Sequence, residues 1–146
     1  MRTRFIQGAI LLVCCLLAGC ALTGTHKSES GITVSEVVHH LNEHQVALVE
    51  AQNVQDSVFS ERLNQEKPSM YQLEDALFSI YSFPTVDARL KAEKDFKKRV
   101  ETMNVMTYET YMRHNVLIFY VHGLPIGEEI PYEQAIQKMI NQLIIE

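Results

Sequence analysis

The sequence predicts an α+β fold: a small single domain in which helices pack on one face of an antiparallel or mixed sheet. Helical patterns with an apolar stripe lie near both ends of residues 32–146, and a third lies between two groups of strand-like segments. The resulting order, α-β-β-α-β-β-α, has no internal repeat and is too irregular for a doubly wound sheet. A small sheet containing parallel strands is the alternative.

The composition supports one globular domain without a nucleic-acid partner. The chain has 146 residues, of which 47% are hydrophobic and 21% charged, which is enough apolar surface for one core. The formal net charge is −5. Acidic residues interrupt and flank the densest basic run, residues 94–99, whereas nucleic-acid binding needs a clustered basic surface.

The first half of the domain is predicted to contain one helix and two strands. Thr33 followed by Glu36 matches a capping box, and apolar residues then recur at helical spacing over residues 34–44. Residues 45–52 and 76–83 are rich in β-branched, aliphatic or aromatic side chains and predict strands, with a loop over 53–69 between them.

The second half is predicted to contain two helices around a hairpin. Thr85 caps a helix that extends to Met103, and residues 107–112 and 115–122 form strands around a turn. Pro131 suits the first turn of the last helix. The expected inward residues of the first of these helices are Val86, Leu90, Phe96, Val100 and Met103. Those of the last are Tyr132, Ala135, Ile136, Met139, Ile140 and Leu143.

The N-terminus has the layout of a secretory signal peptide. Arg2 and Arg4 give a basic start, residues 5–17 are apolar, and residues 18–19 are small. The apolar segment is shorter than the roughly 20 residues with which a helix spans a bilayer. We therefore expect residues 1–19 to be removed.

The residues at the end of this segment resemble a known processing signal. Leu17-Ala18-Gly19-Cys20 is similar to the lipobox of bacterial lipoproteins. The resemblance implies cleavage before Cys20, an S-diacylglyceryl group on its sulfur and acylation of its new amino group, palmitate being a typical chain. Two or three acyl chains hold a protein durably at a membrane. Cys20 is therefore the predicted lipidation site and the predicted membrane contact.

Residues 20–31 are predicted to be a flexible tether. Residues 21–31 are rich in Thr, Ser and Gly, and reach at most about 35–40 Å when extended. We expect a lipid-anchored protein on the extracytoplasmic face of the cell membrane. In a cell with two membranes the outer one is favoured, because Ala21 is not the aspartate that resembles an inner-membrane retention signal.

One short motif suggests catalysis. His40-Leu41-Asn42-Glu43-His44 fits H-x-x-E-H, and resembles the zinc motif of the inverzincin metalloproteases. In that alternative, His40 and His44 bind zinc and Glu43 activates water in a metal-dependent hydrolase. No third ligand is evident, those proteases are much larger, and Glu43 is expected to face water. We therefore predict no catalytic residue, no metal and no cofactor, and expect a solvated helix flank.

Other candidate residues have simpler structural explanations. Glu128 and Glu129 suit the positive N-terminal end of the last helix better than an acid–base pair. Aromatic residues of the hairpin are expected to be core, with a ligand groove as the alternative: Tyr108, Tyr111, Phe119 and Tyr120. The sequence therefore predicts a non-enzymatic role, in binding a protein, an envelope component or a small ligand, or as an envelope accessory.

Overall fold

The computed structural model describes residues 31–52, 54 and 57–143, which form three helices, a short 3₁₀ helix and five strands. Residues 1–30, including Cys20, lie outside the described residues. Within the described part, no helix is both long and apolar enough to cross a membrane. In chain order the elements are α1 (Val34–Glu43), β1 (Val49–Glu50), the 3₁₀ helix (Val58–Ser60), β2 (Ser69–Leu73), β3 (Ala76–Ser82), α2 (Val86–Val100), β4 (Tyr108–Arg113), β5 (Val116–Val121) and α3 (Glu133–Gln142).

The strands form one antiparallel sheet in the order β1-β2-β3-β5-β4, which confirms the α+β class. Two-residue turns close the β2–β3 and β4–β5 hairpins, and each places its first residue in the left-handed region, with φ of 54° at Glu74 and 47° at His114. All six residues of β5 are buried, so this strand lies at the centre of the core.

The two faces of the sheet carry different helices. Phe78, Ile118 and Tyr120 pack with α1 and α3 in one core cluster. Tyr81 and Phe119 pack with α2 and the 3₁₀ helix in another. Successive side chains of a strand point to opposite faces, so a fully apolar β5 requires cover on both. The expectation of helices on one face holds for α1 and α3 only, because α2 covers the other face.

The cap of α1 is as predicted. The Thr33 hydroxyl accepts from the Glu36 N–H at 3.3 Å, and the Glu36 carboxylate accepts from the Thr33 N–H at 2.6 Å. Val37 and Leu41 lie on the sheet-facing side of the helix and are fully buried. Two orphan N–H groups at the helix start are thus satisfied while the apolar stripe enters the core.

The helix α2 ends at Val100, so Met103 lies beyond it, and the predicted inward face is wrong for Val86 and Leu90. Val86, Leu90 and Met103 are 40%, 48% and 49% exposed, whereas Phe96 is buried and Ala92 fully so. At 3.6 residues per turn, Leu90 lies about 120° around the helix from Phe96, but Ala92 only about 40°. Phe96 stacks on Phe119, and this contact sets the rotation of the helix.

The segment between α1 and β3 differs most from the prediction. The expected strand over 45–52 is reduced to Val49–Glu50. The expected loop contains the 3₁₀ helix, whose Val58 and Phe59 enter the core, and it is followed by β2, which was not predicted. In this segment the apolar residues are buried through contacts with distant parts of the chain, so their spacing along the sequence shows no regular helix or strand pattern.

The start of α3 also differs. Tyr132 was expected to be buried, but it precedes the helix with φ of 61° and is 37% exposed. Pro131 therefore lies before the first turn rather than in it. The remaining stripe is confirmed: Ile136, Met139, Ile140 and Leu143 are buried, and Ala135 packs against them.

The start of the described chain is fastened to the sheet. The side chain of Asn115, 4% exposed in the β4–β5 turn, hydrogen-bonds the backbone of Ile32. The Ser82 hydroxyl also donates to the Ile32 carbonyl oxygen, at 2.7 Å. A Cβ on Gly31 would lie 2.6 Å from the Asn115 amide nitrogen. A side chain at position 31 would therefore displace the Asn115 amide, which favours glycine there.

Candidate functional site

The predicted His–Glu motif lies at the C-terminal end of α1. His40 and Glu43 belong to the last turn of the helix, where the His40 Nδ1 lies 2.9 Å from Glu43 Oε2. The other carboxylate oxygen, Oε1, lies 3.5 Å from His39 Nε2. Glu43 is thus held by two neighbouring imidazoles on the solvent side of the helix, with its side chain 54% exposed.

His44 turns away from His40. It is the C-cap residue of α1, and its Nε2 lies 2.6 Å from Oε1 of Gln142, on α3. In this contact the imidazole N–H donates and the amide oxygen accepts. The two histidines of the motif therefore have separate partners, and His44 ties the end of α1 to α3.

Among residues 31–52, 54 and 57–143, no group of three or more His, Cys, Asp or Glu side chains is arranged to hold a metal ion. A catalytic zinc needs three protein ligands. Because no third ligand is found beside His40 and His44 among the described residues, zinc binding by this pair stays a hypothesis from the sequence. The predicted lipidation site, Cys20, belongs to the part of the chain that is not described.

A shallow groove of about 390 Å³ lies between the end of α1 and the first turns of α3. We call it the first groove, and five of its six lining residues are polar or charged: Glu43, His44, Gln45, Gln134, Ala135 and Lys138. Small-molecule sites are mostly apolar and enclosed. This groove instead offers carboxylate, ammonium and amide groups, which suits hydrogen bonding to a polar partner.

A second groove, of about 560 Å³, adjoins the first at Gln134 and Ala135. It is formed by the segment before α3 and the first turn of that helix, residues 129–135. Glu129 therefore lines a groove ahead of α3, and the acidic residue in the first turn of the helix is Glu133. The two grooves share Gln134 and Ala135 as lining residues at the start of α3.

One hydrogen bond holds the second groove against the sheet. The Tyr132 hydroxyl donates to Glu74 Oε1 at 2.7 Å, joining the segment before α3 to the β2–β3 turn. This bond to a carboxylate raises the pKa of Tyr132, because removing its proton would place two negative charges together. The tyrosine therefore stays protonated and keeps the connection at neutral pH.

The hairpin aromatics do not line one groove. Tyr108 and Phe119 pack on the α2 face, whereas Tyr111 and Tyr120 pack on the α1–α3 face. Phe119 stacks on Phe96 with centroids 4.1 Å apart, and Tyr120 on Phe78 at 4.5 Å. The core interpretation is confirmed for these residues, since three of them are at least nine-tenths buried.

Two buried polar atoms have no hydrogen-bond partner among the described residues: the Tyr111 hydroxyl and His122 Nε2. The other nitrogen of that ring, His122 Nδ1, accepts from the Leu124 N–H at 3.1 Å. Burial, and then the nearby charges of Glu133 and Glu109, raise the pKa of Tyr111. Its hydroxyl is thus a neutral, unsatisfied group beneath the first turn of α3.

Sequence reasoning did not identify the α3 side of the first groove. Gln134, Lys138 and Gln142 recur every four residues, so they form a polar stripe beside the apolar one. That spacing is visible in the sequence, but its position beside His44 depends on the packing of α1 against α3.

Comparison with known proteins found no matching family model, no matching curated protein and no matching solved structure. A functional interpretation therefore rests on the residues of this chain and on their geometry.

Proposed function

We propose that this chain is an extracytoplasmic lipoprotein, anchored to the cell membrane through acyl groups on Cys20, with a non-enzymatic binding or envelope-accessory role. The observation that carries the proposal is the sequence Leu17-Ala18-Gly19-Cys20 directly after a basic start and an apolar segment. An anchor of two or three acyl chains is durable, so the domain stays at the membrane surface.

The point at which the chain enters the domain supports this arrangement. The proposed tether ends at residue 31, and the next residue, Ile32, is held by the buried amide of Asn115. A force on the tether therefore acts on the β4–β5 turn and, through it, on the residue that follows β3. The tether length allows the domain to lie within about 35–40 Å of the lipid.

The two grooves on α3 support a role in polar recognition. They place the Glu43 carboxylate, the Lys138 ammonium and side-chain amides around the start of α3. Ile130 and Pro131 also line the second groove. Surfaces of this kind suit a protein or envelope polymer that presents hydrogen-bonding groups, and they lack the apolar enclosure typical of small-ligand sites. We assign the partner contact to these two grooves.

The anchor is tested in the native host with the wild-type chain and Cys20→Ala. We expect wild-type protein in the membrane fraction, with Cys20 as the first residue and the mass of a diacylglyceryl group on it. Cys20→Ala should carry no lipid and keep residues 1–19. An unmodified Cys20, or wild-type protein that retains Met1, contradicts the proposal.

The partner contact is tested separately by a photo-crosslinking amino acid placed at Gln134 in cells. Lys98, which is exposed on α2 at the opposite face of the sheet, is the matched control position. We expect a discrete crosslinked product from position 134 and none from position 98. Equal products from both positions, or none from either, contradict the assignment of the contact to the grooves.

The competing hypothesis is a metal-dependent hydrolase that uses His40, Glu43 and His44. Metal analysis of the purified full chain separates the two, with His40→Ala/His44→Ala as the comparison. The binding proposal expects no difference in zinc content. Zinc at one equivalent in the wild type that is lost in the double variant favours the hydrolase.

A further inference from the structure

β4 is an open edge of the sheet. It pairs with β5 on one side, and none of the described residues pairs with its other side. The opposite edge is formed by β1, which has only two residues, so β4 is the longer exposed edge. An edge strand presents unpaired N–H and C=O groups and is a template for a further strand.

The hairpin turn determines which backbone groups of β4 face outward. Arg113 and Val116 are register partners on either side of the two-residue turn. In such a hairpin the flanking pair exchanges both backbone hydrogen bonds, so the polar groups of Arg113 point towards β5. Because the direction alternates along the strand, those of Thr110 and Met112 point away from the sheet.

Two charged residues on this edge have no oppositely charged partner among residues 31–52, 54 and 57–143. Glu109 and Arg113 pair in register with Tyr120 and Val116, so they lie on the α1–α3 face. Neither takes part in an ion pair between described residues, although the Arg113 Nε donates to the Leu143 carbonyl oxygen at 3.3 Å. Four residues of strand separate them by about 13 Å, which is too far for contact within one copy.

We infer that β4 pairs antiparallel with β4 of a second copy of this chain, about a twofold axis that passes by Tyr111. In this register Thr110 lies opposite Met112 of the partner subunit, and the outward backbone groups form four hydrogen bonds across the axis. Glu109 lies opposite Arg113 of the partner subunit, and the symmetry repeats this ion pair. These are non-hydrogen-bonded positions, where opposite side chains are closest.

Charge complementarity selects this register over its neighbours. A shift that centres the axis on Thr110 places Glu109 opposite Tyr111 of the partner subunit. A shift that centres it on Met112 places Arg113 opposite that tyrosine. Both shifts still bring the outward backbone groups together, but each leaves the charges unpaired. Only the arrangement centred on Tyr111 joins unlike charges at both ends.

A charge-exchange experiment tests the pairing. The full chain, purified in detergent, is examined by sedimentation and native mass spectrometry as wild type, Glu109→Arg, Arg113→Glu and the double exchange. We expect the wild type to be dimeric, and each single variant to raise the dimer dissociation constant by at least about tenfold, because like charges then face each other. The double exchange should restore the dimer.

Mixing the two single variants gives the sharpest result. One copy then carries two arginines at positions 109 and 113 and the other two glutamates, so the mixture should form a heterodimer although neither variant dimerises alone. Absence of the heterodimer, a monomeric wild type, or single variants that dimerise as well as the wild type would overturn the inference. Thermal unfolding of each variant confirms that it is folded.

A backbone variant tests the strand pairing independently of charge. Thr110→Pro removes an outward N–H donor, and the hydrogen bonds to β5 are left intact because they belong to the alternate residues. We expect a folded monomer, whereas the control Thr110→Ala should remain dimeric. If both variants dimerise equally, β4 is not the contact strand.

Discussion

The side-chain amide of Asn115 hydrogen-bonds both backbone polar groups of Ile32, which lies 83 residues earlier in the chain. The Ile32 N–H donates to Oδ1 at 2.8 Å, and Nδ2 donates to the Ile32 carbonyl oxygen at 3.0 Å. Nδ2 also donates to the Phe83 carbonyl oxygen at 2.8 Å. One buried side chain therefore joins the start of the domain, the end of β3 and the β4–β5 turn.

Asn115→Ala should destabilise the domain strongly. It leaves the Ile32 N–H and the Phe83 carbonyl oxygen without their partner, at a cost of about 3 kcal/mol in the free energy of unfolding. Denaturant unfolding measures this change. Asn42→Ala, at an exposed position of α1, is the control and should change the free energy by less than about 0.5 kcal/mol. Equal effects of the two variants would disprove the role of Asn115.

The rotation of α2 is tested by two residues that the sequence pattern had placed on the same face. Phe96 is 1% exposed and stacks on Phe119, whereas Leu90 is 48% exposed. Phe96→Ala should lower the free energy of unfolding by about 3–5 kcal/mol, because it leaves a cavity. Leu90→Ala should cost less than about 1 kcal/mol, since half of the side chain is already in water. Similar losses in the two unfolding experiments would mean that Leu90 is an inward residue.

The same helix shows why its face was not predictable. Arg89, beside Leu90, turns inward because its Nε donates to the His114 carbonyl oxygen at 2.8 Å. From hydropathy alone, Leu90 rather than Arg89 is expected to face inward. The carbonyl oxygen that holds Arg89 belongs to His114, 25 residues later, so no local pattern indicates it. By contrast, the α1 cap was predictable, since Thr33 and Glu36 interact within one helical turn.

The sequence predicts β3 and β5 but not β2, and the difference lies in how much of each strand is apolar. β3 and β5 were evident because they are buried and apolar, whereas β2 carries Ser69 and Gln72 and becomes a strand by pairing with β3. Strand formation depends on such non-local partners more than on intrinsic preference. At the end of α1, the proximity of His40 and Glu43 follows from helical spacing. The contact from His44 to Gln142 spans 98 residues and has no local signal.

Two tyrosines should respond in opposite directions to loss of the hydroxyl. The Tyr111 hydroxyl is buried without a partner among the described residues, so Tyr111→Phe should raise the free energy of unfolding by about 1 kcal/mol. The Tyr81 hydroxyl donates to the Glu61 carbonyl oxygen at 2.7 Å, and burial raises the pKa of Tyr81 to about 12, so it remains a donor. Tyr81→Phe should lower the free energy of unfolding by about 1 kcal/mol.

Denaturant unfolding at neutral pH measures both tyrosine variants under the same conditions. The two substitutions remove the same atom from the same residue type, so each is the control for the other. Destabilisation by Tyr111→Phe would show that its hydroxyl has a partner in the folded protein, such as an ordered water or a residue outside the described part.

The capping box of α1 should make stability depend on pH through Glu36. The Glu36 carboxylate accepts hydrogen bonds from the Thr33 hydroxyl and N–H, each at 2.6 Å, and these hold its pKa below the ordinary value of 4.5. A group whose pKa is lowered by folding stabilises the folded state fully above the ordinary pKa, and this contribution is lost as the pH falls through the lowered value. The stabilisation by the carboxylate is therefore present at pH 7 and absent in strong acid.

Comparing the wild type with Glu36→Gln isolates this contribution, because glutamine can accept the same hydrogen bonds but does not titrate. At pH 7 the wild type should be more stable by about 0.5 kcal/mol, a small value because Glu36 is exposed and screened by water. The difference should shrink as the pH falls below 4.5 and disappear in strong acid. Denaturant unfolding of both proteins at pH 7 and in acid measures it. In a Thr33→Ala background, which itself costs about 1 kcal/mol, the pH-dependent difference should shrink. A difference that grows on acidification would mean that the charged form of Glu36 is not the one that caps the helix.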